Sequence, residues 1–279
     1  MREQARYFPV LPSPLKMVAG LRRLGVDCGQ GELDQRFFHV DDRRAHYLAA
    51  KRRVPANRHG LFGTEPAHAV AREAALQWMR STLADEQPAL LAEAERDHEA
   101  RDEFDALARV LQEDFAVLSA GDDDAGSTVV LDVRFPSGWR PECLIGASFE
   151  ALHRPVPGFV ETPAAVRSMV RAMIERGPYV RFVWTLCGDD QLDHHPEARR
   201  PVDFATADRL WLRVERQVTV ALPHAEASVF LIRTYLYPTD ELSREERAVV
   251  LRALELMPSE VRAYKGLPLR AQVERLLAD

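Results

Sequence analysis

Two runs of alternating residues, Leu210 to Leu222 and Ser228 to Leu236, are joined by only Pro223 to Ala227, and this spacing constrains the chain more than any other feature. A connection that short predicts a β-hairpin. With Leu222 facing Ser228, Gln217 lies opposite Arg233, Glu215 opposite Tyr235 and Arg213 opposite Tyr237. Directly opposed residues project to the same face. Arg213, Glu215, Gln217, Arg233, Tyr235 and Tyr237 then form one polar and aromatic surface, with Leu212, Val214, Val218, Ile232 and Leu236 on the other. A one-residue slip would break that pattern. Periodicity alone leaves two readings open: a solvent-facing ladder of paired charges, or the wall of a ligand cavity with a few fixed polar groups.

The rest of the chain supplies a core for such a sheet. At 279 residues with 46% apolar and 29% charged side chains, it has the composition of a globular protein that needs no metal or disulfide staple. No run approaches the roughly 18 apolar residues of a membrane-spanning helix, and the N-terminus lacks a secretory signal's apolar stretch, so the expectation is a cytoplasmic protein away from membranes. A net charge of −6 argues against sequence-independent nucleic-acid binding. Three cysteines without a CxxC pair indicate ordinary reduced thiols.

Helical spacing runs from Thr64 as N-cap to Leu83, and again through Phe104, Leu107, Ala108, Leu111, Phe115 and Leu118. GDDDAGS, residues 121–127, reads as a solvated turn that changes the architecture. Beyond it Thr128 to Arg134 and Val180 to Cys187 read as strands, with Pro163 to Arg176 helical between them. Ser243 and Glu246 have capping-box spacing for a last helix that Pro258 stops. The expected class is α+β: a mainly helical region over 1–125, a sheet core over 126–240 and C-terminal helices over 241–279, packed as one unit.

Four segments in order, PSGWRPECLIG (136–146), LHRPVPG (152–158), LRVERQ (212–217) and RTYLYP (233–238), resemble the haem-dependent oxidative N-demethylase family, the dimethylamine-monooxygenase-type α subunits. LQEDFAVL (111–118) is similar to that family's QED-containing helix, and Lys16 to Leu21 more loosely to its N-terminal region. The resemblance implies a PAS-like antiparallel sheet enclosing haem b, with His153 as the axial iron ligand, a role suited to a neutral imidazole. It implies Glu215 as a distal carboxylate that orients a cationic amine, and Arg233 as partner of Glu215 or of a haem propionate. Tyr235 joins these as a catalytic candidate; Arg213, Tyr237 and Trp184 are the further cofactor-binding candidates. A plain Glu215–Arg233 salt bridge is the competing reading.

The implied reaction is oxidative N-demethylation of a small secondary or tertiary methylamine with dioxygen, releasing formaldehyde. No flavin or iron–sulfur motif is evident, so an NAD(P)H-dependent reductase partner is implied. The alternative is a haem-based sensor or binding protein, since a haem-binding fold does not guarantee oxygenase chemistry. Two departures from the family pattern bear on substrate: Cys143-Leu144 replaces a lysine-bearing stretch, and Val183 precedes Trp184 where relatives carry asparagine. Neither Cys143 nor Cys187 lies in a thiolate-ligand loop, the Asp189 to His195 run reads as a solvated connection, and His39, His46, His59, His68 and His98 lack ligand spacing.

Overall fold

The structure is a computed structural model, and it describes residues 4–8, 20–63, 68–121, 126–157, 162–198, 204, 206–267 and 273–274. Among these, eight α-helices and a seven-stranded sheet give an α+β architecture. The strands are β1 (Arg22–Arg23), β2 (Leu61–Phe62), β3 (Asp114–Ser119), β4 (Ser127–Asp132), β5 (Tyr179–Cys187), β6 (Trp211–Leu222) and β7 (Ala227–Pro238). Their order is β1-β5-β6-β7-β3-β4-β2, and every neighbouring pair is antiparallel. The sheet therefore draws three of its strands from before residue 125.

Helices α1 (Arg44–Lys51), α2 (His68–Glu86), α3 (Pro88–Glu95) and α4 (Glu103–Val110) precede β3; α5 (Phe149–His153) and α6 (Pro163–Glu175) lie between β4 and β5. The last two, α7 (Arg244–Leu256) and α8 (Ser259–Tyr264), follow β7. Ser243 and Glu246 form the expected capping box on α7. Thr64 and residues 122–125 of the acidic turn lie outside the described residues.

One side of the sheet is the main core. Phe115, Val117, Val180, Val218, Val220, Val229 and Leu231 meet Met79 and Leu83 of α2 and Leu107 of α4. Further along the same side, Trp184, Leu212, Val214, Tyr235 and Tyr237 meet Val250 and Leu254 of α7 and Val261 of α8. The other side carries a smaller cluster in which Leu118 meets Phe149 of α5 and Val166, Val170 and Ile174 of α6.

Two expectations are corrected. The stripe from Phe104 to Leu118 is not one helix: α4 stops at Val110, and the QED-containing segment enters β3. Leu111, Phe115 and Leu118 fit helical spacing, but Phe115 and Val117 also alternate, and pairing with both β4 and β7 decides for strand. The hairpin is also one residue tighter than expected. Pro223–Ala225 forms a 3-10 turn and Glu226 closes it in the left-handed region (φ 46°), so Leu222 pairs with Ala227 rather than Ser228. The whole register shifts with it: Gln217 lies opposite Ile232, Glu215 opposite Thr234 and Arg213 opposite Leu236.

Candidate functional site

That shift divides the predicted polar surface between the two faces of the sheet. Arg213, Glu215 and Gln217 share a face with Arg181, Val183 and Thr185 of β5. Arg233, Tyr235 and Tyr237 sit behind them, on the face of Leu212, Val214, Arg216 and Val218. Trp184, opposite Val214, is on that second face as well. The seven candidate residues thus do not form one surface.

On the first face a polar chain crosses from β5 to the loop after β4. Arg181 Nε donates to Gln217 Oε1 at 2.6 Å, Gln217 Nε2 donates to Glu215 Oε2 at 3.0 Å, and Ser137 Oγ donates to Glu215 Oε1 at 2.8 Å. Ser137 belongs to the PSGW segment, which is held by Gly138 N–H on His194 O (3.1 Å) and His194 N–H on Pro136 O (3.2 Å). Arg213 Nε stands 3.6 Å from Glu215 Oε1, while its two Nη groups donate to Leu192 O and Phe135 O, each at 2.8 Å. Val183 is the cross-strand neighbour of Glu215 and is half-buried, so that departure from the family pattern lies at the site; Cys143 is exposed. Thr185 Oγ1 is buried and makes no hydrogen bond among the described residues. Lys265, just past α8, donates to Trp184 O at 2.6 Å and lies 5.2 Å above the Trp184 ring. Burial pushes its pKa down to about 8, although the charge of Glu215 opposes the change.

His153 ends α5, a short helix capped by Ser148, and its ring lies against Phe149 at 4.1 Å. Its Nδ1 is 2.8 Å from Phe149 O. A carbonyl only accepts, so Nδ1 carries the hydrogen and the neutral ring keeps its lone pair on Nε2. Burial lowers the pKa and the charge of Arg181 adds to this, against the opposing effect of the Phe149 bond. The result is the tautomer and protonation state of a metal-ligating imidazole, oriented by a backbone carbonyl.

The second face is sealed. Arg233 is fully buried, pairs with Asp41 at 2.6 Å, donates to Thr234 O at 2.7 Å and lies between the rings of Tyr47 and Tyr235. His39 Nε2 donates to Leu33 O at 2.7 Å, which leaves Nδ1 to accept the Tyr235 hydroxyl at 2.5 Å. Tyr237 donates to Ala5 O and accepts from Tyr7 N–H. Gln112 and Glu113 complete this network: Gln112 exchanges two hydrogen bonds with Asp41, and Glu113 accepts from His39 N–H. Asp114, in register with Ile232 and so on the first face, accepts from Phe135 N–H and pairs with Lys51 at 3.1 Å. The QED residues thus tie backbone segments together.

Sequence reasoning missed Arg181, Ser137 and Lys265. Ser137 lay inside a recognised segment, and Arg181 interrupts an otherwise apolar strand; nothing marked Lys265. His59, placed among unclustered histidines, stands with Asp105 and Asp132 so that one ligand-type atom of each lies within 4.8 Å of the others. Both carboxylates are already paired with Arg134 at 2.7 Å, and Arg101 donates to His59, so these charges are balanced without a metal.

An antiparallel sheet bearing an oriented imidazole, a hydrogen-bonded carboxylate and a desolvated arginine on one half-buried face defines a ligand- or cofactor-binding α+β protein. The family model for the haem-dependent oxidative N-demethylase, alpha subunit-like proteins matches residues 32–273, and the chain belongs to that family. Haem dependence, oxidative chemistry and an alpha-subunit role with a partner subunit are what this family's description denotes. The residues present fit such a group: a neutral, oriented imidazole such as His153 is of the type that haem iron takes, and Arg181 is a half-buried cation of the type that suits carboxylates. Among the described residues no helix is long and apolar enough to cross a membrane.

Proposed function

We propose that this chain binds haem b through His153 Nε2 on a PAS-like sheet and oxidatively N-demethylates a small secondary or tertiary methylamine, with electrons from a separate NAD(P)H-dependent reductase. Haem, when bound, supplies the oxidation: dioxygen, an electron pair and two protons convert the N-methyl amine to the shorter amine, formaldehyde and water. Phe149 O holds the Nδ1 proton of His153 and keeps Nε2 basic. Glu215 holds the substrate ammonium at its carboxylate, which Ser137 and Gln217 fix in place. Such an anchored anion loses little entropy when a cation docks. Val183, beside it on β5, offers an apolar wall to the methyl groups.

The observation that carries this reading is the coincidence, on one sheet face, of an imidazole in its ligating form and a carboxylate fastened at both oxygens. Haem titration of the wild type and of His153→Ala tests it. The wild type is expected to give a nitrogen-ligated Soret band at one haem per chain and, with reductant, oxygen and dimethylamine, formaldehyde. His153→Ala should fold normally and lose that band. An unchanged Soret spectrum in His153→Ala would remove the ligand; full haem loading with no formaldehyde from a broad amine panel would remove the reaction.

A further inference from the structure

Each fully buried arginine of this molecule gives Nη hydrogen bonds to acceptors among the described residues, although Nε of Arg213 and of Arg233 makes no hydrogen bond. Arg134 lies between Asp132 and Asp105, Arg233 on Asp41, and Arg213 on Glu215 and two carbonyls. Arg216 gives its Nη groups to Phe37 O and Arg36 O. Arg181 differs. Its Nε is satisfied by Gln217, but among the described residues its two Nη groups have no acceptor and it forms no ion pair. A guanidinium has five donors and cannot shed its charge, so burying it without an anion is costly. Burial pulls its pKa down, and Glu215 is the sole charge opposing this.

Glu215 does not reach that fork. Ser137 and Arg213 occupy its Oε1 side and Gln217 its Oε2 side. Gln217 can be oriented only one way, because an arginine only donates and a carboxylate only accepts, so its amide holds the cation and the carboxylate apart. The site therefore has an acidic end at Glu215 and a basic end at Arg181, beside His153, with Gln217 between them.

We propose that Arg181 is the anion-binding group of this site and that its open Nη fork takes a propionate carboxylate of the bound haem. The proposal rests on the haem reading above. A planar guanidinium edge matches a carboxylate through two parallel N–H···O bonds, which a lysine ammonium does not reproduce.

Haem and haem dimethyl ester, whose propionates carry no charge, separate this role from a structural one. The wild type should bind haem about tenfold to a hundredfold more tightly than the ester, the span expected of hydrogen bonds to a charged group. Arg181→Met should bind haem only as tightly as the wild type binds the ester, leave ester affinity unchanged, and keep the His153-ligated Soret band. Arg181→Lys should recover part of the preference. Equal weakening of haem and ester in Arg181→Met, or unchanged haem affinity, would overturn the assignment, with thermal unfolding of the apoproteins showing whether the fold was lost. No preference for haem over its ester in the wild type would do the same, giving the fork to another anion. A wild type that binds neither porphyrin would overturn the haem reading and this proposal with it.

Discussion

The two faces of the central hairpin carry similar side chains and use them in opposite ways. Arg233 and Tyr235 are fully buried, and partners such as Asp41, Tyr47 and His39 surround them. Glu215 and Arg181, one strand position away in register, are half-buried, and Arg181 is left with unmet donors. A polar network closed off from solvent specifies a fold, whereas a half-buried cation with an open fork is within reach of a ligand. By this contrast the sealed face is expected to hold the protein together, and the half-buried face is the one proposed to carry its chemistry.

The largest test of that contrast is Arg233→Ala. It leaves Asp41 and Glu113 as uncompensated carboxylates in a dry interior, so urea unfolding should show a loss of about 3 to 5 kcal/mol. A near-native midpoint, with loss of amine turnover instead, would move Arg233 to the functional side. Glu215→Gln should behave in the converse way, keeping the fold and haem while amine affinity falls about tenfold or more through loss of the charge-assisted contact. Unchanged affinity in a fully loaded variant would remove Glu215 from the substrate site.

A smaller effect concerns His39, whose pKa burial holds well below 6.5. The unfolded chain takes up a proton below that pH which the folded protein refuses. Stability from this residue is therefore complete above pH 6.5 and lost as the pH falls, by at most about 1.4 kcal/mol per pH unit. His39→Gln should flatten the acid limb of a stability–pH curve, while His153, with a lowered pKa of its own, contributes equally to both proteins. Identical slopes would mean that His39 is charged in the fold.

Much of this was legible in the residues themselves. Strands β4 to β7, helix α6 and the capping box all follow from alternation, helical spacing and Ser243. Glu215 is a candidate from the hairpin pattern, and His153 one from a resemblance that no periodicity could replace. The register was not legible, because it turned on a single left-handed residue, Glu226, that is not glycine or asparagine. That one step sent Arg233, Tyr235 and Tyr237 to the far face. Arg216, a charge at an otherwise apolar position of β6, was the sign that both faces carry buried polar groups. The QED segment misled for a related reason, since its side chains answer to partners far away in sequence.

Those distances bear on how the molecule comes into being. Asp41 and Arg233 are 192 residues apart, and Gln112 joins Asp41 from 71 residues away. Closing such loops is slow, and none of these charges has its partners until both ends of the chain have arrived. Each is meanwhile a lone ion that resists leaving water. The cluster around the QED residues therefore acts as a check on completion: a half-assembled sheet has little reason to persist, and the half-buried face is presented only by chains that have finished folding.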